Sequence, residues 1–367
     1  MGSSRSSEAV DADTVDARRH PLKVIRNLSE LRSRVPCEVI GPDDKAYAKA
    51  RQMVWNFDTM GEPAALIRCT TTEDVVAAVK FAAEHKIEVC VRSAGAHSAH
   101  AVVDECLVID LSLMRTVTVS TAARTAEVAG GALIGDVDDA CERACLALPM
   151  GCLALPMGHV YHTGVAGMLL NATSGIGYLS RTRGLCGSYL SEATVVTADG
   201  RVLVCNSSEN AELFWALPGA GSNMGIATRF VFRLSVVSPV VIGGDVVQFP
   251  KNEGPPLRNS RKSRYDLVMP WVEWFAGQAP DEVSALIIIA CKGPVVARSF
   301  YIPAEDVAAE GVFTVGCLGG LKTTTPKAEE YLAHIKSTGR ALMNTVKARK
   351  YHANVQKMGK FKPSHYY

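Results

Sequence analysis

The feature that most constrains this chain is an ordered run of strand, helix, strand, loop and strand between Ala64 and Leu111. Ala64 to Cys69 is a short apolar stretch. Thr70 and Glu73 have the spacing of a helix capping box, and Val75, Ala78, Val79 and Ala82 then recur at three- and four-residue intervals until Glu84, His85 and Lys86. Ile87 to Arg92 reads as a second strand, running into a loop of small residues from Ser93 to His100, and Leu107 to Leu111 as a third. The loop is therefore held between buried strands. Successive backbone amides in such a turn converge on an anion with few Cβ atoms in the way, which suits a pyrophosphate.

The same mixed order continues through the chain. Gly131 to Cys145 reads as a helix, and Glu192 to Cys205 as two β-rich runs joined by a hairpin at Ala198 to Arg201. Glu209 to Leu217 reads as a short helix ended by Pro218 and Gly219, and Ile226 to Leu234 alternates as a strand. A polar, helical lead-in is expected up to Asn56, so the ordered domain is expected to start near Ala64. Cys145 to Gly151 is repeated verbatim as Cys152 to Gly158, too short a unit for a solenoid. This duplication is expected to lengthen one loop at little entropic cost.

Composition excludes several classes. A net charge of +2, spread along the chain, gives no basic face for nucleic acid. With 367 residues and 48% hydrophobic content the chain suits two domains, and no stretch approaches membrane-spanning length. The 11 cysteines are odd in number and lack zinc-type spacing, which points to a reducing compartment, so the cytoplasm is expected and no metal. The sequons at Asn27, Asn171 and Asn206 then read as coincidental. Met1 to Ser6 fits the N-myristoylation pattern, which alone would give only a weak membrane contact; the alternative is a disordered tail through Arg19.

From Pro63 to Leu234 the order of motifs resembles the FAD-binding domain of the berberine-bridge-enzyme and vanillyl-alcohol-oxidase group. The matching segments are Pro63 to Ile67, Arg92 to Ser98, Leu107 to Ser112, Gly164 to Gly167, Gly175 to Arg181, Val195 to Val202, Leu213 to Leu217 and Asn223 to Gly225. The resemblance implies an α+β fold. Residues 1–45 would be a polar N-terminal extension, partly disordered; 46–238 a PCMH-type FAD-binding domain of two α/β subdomains; and 239–367 a partial substrate domain of antiparallel sheet plus helices.

The same resemblance implies FAD as cofactor, held by Arg92, Ser93, Ala94, Gly95, Ala96, His97 and Ser98 in the first loop. A second group comprises Gly158, Thr163, Gly164, Gly167, Gly175 and Gly177, and a third Asn223, Gly225 and Ile226. His97, which precedes Ser98 as the family histidine does, would carry a covalent bond to the flavin 8α carbon; His100 is the alternative attachment point. The cysteine that forms a second link in some relatives is replaced by Val160, so single attachment is expected. Thr163 falls where relatives gate oxygen, leaving oxidase and dehydrogenase both open. His159 and His162 read as solvated loop residues.

The implied activity is oxidation of a small alcohol, sugar or amine-containing metabolite by hydride transfer to flavin N5, with oxygen or another electron acceptor as partner. The alternative is a non-catalytic FAD-binding homologue or an incomplete gene model. Three departures favour that alternative. The first loop keeps only Gly95 of three family glycines and is one residue longer, and positive φ at Ala94 or Ala96 would cost about 1 kcal/mol each. The second glycine run is replaced by Asn171 to Ser174, and the third reads Gly219 to Asn223. The family's catalytic base is expected beyond Tyr367, so no catalytic residue is assigned.

Overall fold

The computed structural model describes residues 28–52, 60–95, 101–145, 152–172, 175, 177–237, 240–248, 263–289, 295–302 and short pieces between 313 and 350. Its first layer contains helices α1 (Leu28–Arg34), α2 (Tyr47–Arg51) and α3 (Thr72–His85) and strands β1 (Glu38–Ile40), β2 (Ala65–Arg68), β3 (Val89–Arg92) and β4 (Leu107–Asp110). The strands lie in the order β1-β2-β4-β3; the last three run parallel, and β1 joins antiparallel. All four residues of β4 are buried, as expected for a central parallel strand covered on both faces.

Helix α3 is capped one residue later than the sequence spacing indicates. Thr71 accepts from the Asp74 amide and Asp74 reaches back to the Thr71 amide, so two otherwise orphaned N–H groups are satisfied reciprocally. Its apolar face, with Val75, Ala78, Val79, Phe81 and Ala82, packs on Ile67 and Ile109 of the sheet. Each such side chain contributes on the order of 1.5–3 kcal/mol on full burial.

The N-terminal boundary differs from the expected one. Within the stretch assigned to a polar extension, Leu31 and Val35 belong to this core, and β1 pairs with β2 in register Val39 to Ile67. The apolar side chains Leu31, Val35 and Val39 explain why: spread over helix and strand, they make no long periodic signal, yet all face one core.

The second layer holds β5 (Val117–Ser120), β6 (Thr125–Ala129), β8 (Leu190–Val196), β9 (Val202–Asn206) and β10 (Ile226–Arg233), an antiparallel sheet in the order β5-β6-β10-β8-β9. Against it pack α4 (Ile134–Cys145), α5 (Val165–Ala172) and α7 (Ala211–Ala220); α6 (Ser180–Arg183) is a single turn. Helix α7 is broken at Pro218 and Gly219, where the sequence places its end.

The second copy of the seven-residue repeat is not loop. Cys152–Ala154 forms β7, which pairs with β11 (Ser235–Val237), and Leu153, Leu155 and Met157 are buried in the second core. An apolar heptapeptide gains more by burial than by solvation, so this copy is drawn into the core.

The third layer contains α8 (Arg264–Gly277) and β12 (Val240–Gln248), β13 (Val283–Ile289) and β14 (Val295–Tyr301), with β15 (Phe313–Val315), β16 (Leu321–Thr323), β17 (Met343–Asn344) and β18 (Lys347–Lys350). Its main sheet is antiparallel, β13-β14-β12 with β17 and β18 both on β12. It meets the second layer through Arg181, whose guanidinium donates to the Ala279 carbonyl at 3.0 Å and lies over the Phe275 ring, and through Ser284, whose hydroxyl donates to the Tyr178 carbonyl at 2.7 Å. The chain therefore has the expected mixed α and β architecture.

Candidate functional site

Two backbone junctions bring the expected cofactor segments together. At the first, the loop leaving β3 meets the residue preceding α5. A Cβ on Gly95 would stand 2.2 Å from the Gly164 amide nitrogen, and a Cβ on Gly164 would stand 2.5 Å from the Ser93 hydroxyl oxygen. Gly95 is required by contact, because any side chain would strike the Gly164 backbone, whereas a side chain at Gly164 would need the Ser93 hydroxyl to turn away. The start of α5 is fixed in turn by Ile134, whose amide donates to the Thr163 carbonyl, and by Val165, whose amide donates to the Ala132 carbonyl.

At the second junction, a Cβ on Gly175 would lie 2.6 Å from the Gly158 Cα, and one on Gly177 would lie 1.6 Å from the Met157 carbonyl oxygen. Segments separated in sequence thus run backbone against backbone. Between the two junctions Gly167 is the exception on α5: Val165, Ala166, Met168, Leu169 and Leu170 are buried, whereas Gly167 is exposed and a Cβ there would meet nothing within 4 Å. This open strip of α5 lets another group approach the helix backbone closely.

The side chain of Arg92 is engaged inside the protein. Its guanidinium is buried, donating to Asp110 at 2.6 Å and to the Ala50 carbonyl at 2.7 Å, while Asp110 also accepts from the Ser112 amide. Arg92 is a clamp that joins β3, β4 and α2 below the loop, and its side chain does not reach toward an anion. Ala94 is absent from the positive-φ residues among the described part of the chain, so the loss of glycine there costs no backbone strain. Ala96, His97, Ser98 and His100 lie outside the described residues.

The third group is less convergent. Gly225 has φ of +141° and faces the Val195 side chain and Val196 carbonyl, and Ile226 is buried in the first core, so both serve the turn into β10. Asn223 is exposed in that turn. The link to α5 is made instead by residues that the sequence did not single out for a role. Asn171 donates to the Gly167 carbonyl at 2.8 Å and accepts from the Ser222 hydroxyl at 2.7 Å, so it replaces a glycine run with a polar tie. Gly130 and Gly131, a glycine pair visible in the sequence, join the layers: a Cβ on Gly131 would stand 1.7 Å from the Leu111 carbonyl oxygen.

His159 and His162 are not simply solvated. His159 packs its ring 5.8 Å from that of Tyr178, and His162 lies edge-on to Tyr161, whose hydroxyl hydrogen-bonds Asp139. Val160 contributes its carbonyl to the Thr163 amide, closing the turn that presents Thr163 and Gly164. A polar recess of about 150 Å³ lined by Arg115, Val117, Asp136, Asp139 and Arg143 is smaller than an ordinary metabolite pocket and has no part in this arrangement.

Residues 63–206 match the FAD binding domain family. The chain is similar to (R)-6-hydroxynicotine oxidase of Paenarthrobacter nicotinovorans, 29% identical over 86% of this chain and 61% of that protein. The solved structure of 6-hydroxy-D-nicotine oxidase from Arthrobacter nicotinovorans superposes with a TM-score of 0.71 at 25% identity, covering 89% of this chain and 64% of that one. Glucooligosaccharide oxidase of Acremonium strictum, described as carrying a 6-S-cysteinyl, 8α-N1-histidyl FAD, shares the fold with a TM-score of 0.69 at 21% identity, over 89% of this chain and 62% of its own. The chain thus spans less than two thirds of the length of these relatives. Among its described residues no helix is long and apolar enough to cross a membrane. Residues 63–206 therefore match an FAD binding domain, and the chain shares its fold with these oxidases.

Proposed function

We propose that this chain is the FAD-binding portion of an oxidoreductase that oxidises a small alcohol, sugar or amine-containing metabolite and passes the electrons to oxygen or another acceptor. The observation that carries the reading is the open strip at Gly167, flanked by the Gly95–Gly164 and Gly158–Gly175 junctions, inside a segment that matches an FAD binding domain. The residues fit such a group. The loop from Ser93 to Ser98 and the head of α5 would face its pyrophosphate, where backbone amides and the positive end of a helix favour an anion. Gly167 and the Gly158–Gly175 junction are the other residues that would help to hold it.

When bound, FAD would supply a two-electron acceptor, taking a hydride at N5 from the carbon that bears the oxidised hydroxyl or amine. The chain's own contribution is positional. Arg92 and Asp110 hold the base of the first loop, Asn171 ties α5 to the turn at Ser222, and Arg181 fixes the third layer beside Gly177 and Tyr178. His97 is the proposed covalent anchor, in keeping with the histidyl attachment described for glucooligosaccharide oxidase. A single link is proposed, since Val160 cannot form a thioether.

An absorption spectrum of the purified chain, native and after acid precipitation, tests both parts. Yellow protein whose flavin stays with the pellet, and is released from His97→Ala but not from His100→Ala, is the expected result. Colourless protein from cells supplied with riboflavin would overturn the reading. Flavin that washes out in acid would leave FAD binding intact and remove His97 as the anchor.

A further inference from the structure

Beneath the loop that leaves β3 lies a pair of cysteines that the flavin reading does not use. The Cys90 and Cys106 sulfurs are 2.7 Å apart, although the residues are sixteen positions apart in sequence. Cys90 sits in β3 and Cys106 immediately before β4, and parallel pairing of Val89 with Leu107 and Cys90 with Val108 holds the two together. The thiols also touch the chain that they flank: Cys90 lies 3.7 Å from the Ala101 carbonyl and Cys106 lies 3.1 Å from the Val103 carbonyl. Both belong to the small core of Ile40, Ala50, Leu66, Val102 and Val108. Cys90 is partly exposed and Cys106 buried, so only one of the pair is open to a reagent.

We propose that Cys90 and Cys106 form a reversible dithiol–disulfide couple that closes the segment between them, which carries His97, into a covalent ring. The oxidant is a small-molecule disulfide of the glutathione class. The Cys90 thiolate attacks one of its sulfurs, forming a mixed disulfide and expelling one thiolate, which takes up a proton. Cys106 then gives up its proton and attacks the Cys90 sulfur, expelling the second thiol. Two cysteine thiols are oxidised and one external disulfide is reduced to two thiols, so electrons and protons balance.

The order of attack follows from the surroundings. The Cys106 thiol beside it, together with the Arg92 guanidinium, holds the Cys90 thiol below the ordinary cysteine range. The neighbouring Cys90 and burial push the Cys106 thiol up, so it waits protonated as the resolving group. Forming the bond needs less than about 1 Å of further approach by the sulfurs. In a reducing compartment such a couple is transient, as expected of a redox-responsive pair.

The test uses the full chain with oxidised glutathione, followed by alkylation of remaining thiols, digestion and mass spectrometry. Peptide assignment carries it, since Cys37 and Cys69 also face one another. The expected product is a linked pair of peptides bearing Cys90 and Cys106, two hydrogens lighter than the dithiol and restored by dithiothreitol. In Cys106→Ser, Cys90 should be recovered as its glutathione adduct; in Cys90→Ser, Cys106 should remain alkylated only. Recovery of both wild-type cysteines fully alkylated, or of either joined to a different cysteine, would overturn the proposal. The readout is the same with or without flavin, so it fails or succeeds independently of FAD binding.

Discussion

The first two layers deliver their residues to the candidate site by opposite means. The first uses a buried charge: Arg92 and Asp110, both almost wholly inaccessible, lock neighbouring parallel strands so that the loop after Arg92 leaves in one direction. The second uses absence, with Gly175 and Gly177, like Gly95 across from Gly164, letting backbones approach where a methyl group would collide. The contrast separates what each layer can tolerate. A buried ion pair fails when one partner is removed, whereas a glycine junction fails when an atom is added.

The largest expected effect comes from breaking the charge. Asp110→Ala leaves the Arg92 guanidinium buried without its counter-ion, and should destabilise the chain by roughly 3–5 kcal/mol, read as a large fall in the denaturant midpoint. A midpoint unchanged within error would mean that Arg92 relaxes to solvent and that the clamp is not structural.

Next is the added methyl. Gly177→Ala places a carbon 1.6 Å from the Met157 carbonyl oxygen as the backbone stands, so the junction must open at a cost of about 1–3 kcal/mol. Gly167→Ala sharpens the comparison, because its Cβ meets nothing and a helical Gly→Ala change gains about 0.5–1 kcal/mol. That variant should melt slightly higher than the wild type yet retain less flavin. Normal flavin content in Gly167→Ala would place the cofactor elsewhere.

The smallest effect concerns the third layer, which has an aromatic cluster in place of either device. His334 stacks on Trp274 at 3.9 Å between centroids, and burial lowers its pKa from 6.5 to about 4. The unfolded chain therefore binds the proton more tightly than the folded one. Stability from the neutral ring is complete above pH 6.5 and is lost as pH falls toward 4. Tryptophan emission should shift in that window, and the shift should be absent in His334→Gln.

Much of this was legible in the sequence because it rests on local rules. Helix α3 follows from its apolar spacing, the β8–β9 hairpin from Ala198 to Arg201, and the segments of the FAD binding domain from the order of short motifs. Three features were not legible. Strand β1 is only three residues long, and β5 and β6 only four and five, so their pairing depends on neighbours distant in sequence. The repeated heptapeptide reads as an inserted loop until β11 supplies an edge for its second copy. The pairing of Arg92 with Asp110 and the Ala50 carbonyl leaves no short-range trace in the sequence.

The sequence by itself determined the α and β order, the match to an FAD binding domain and the position of the small-residue segments, because capping, periodicity and glycine placement act over a few residues. Only the tertiary structure decided which glycines are needed for contact, which basic residue is a clamp and which two cysteines meet. Those outcomes depend on atoms from segments tens of residues apart arriving at one place, and no short-range pattern records that distance.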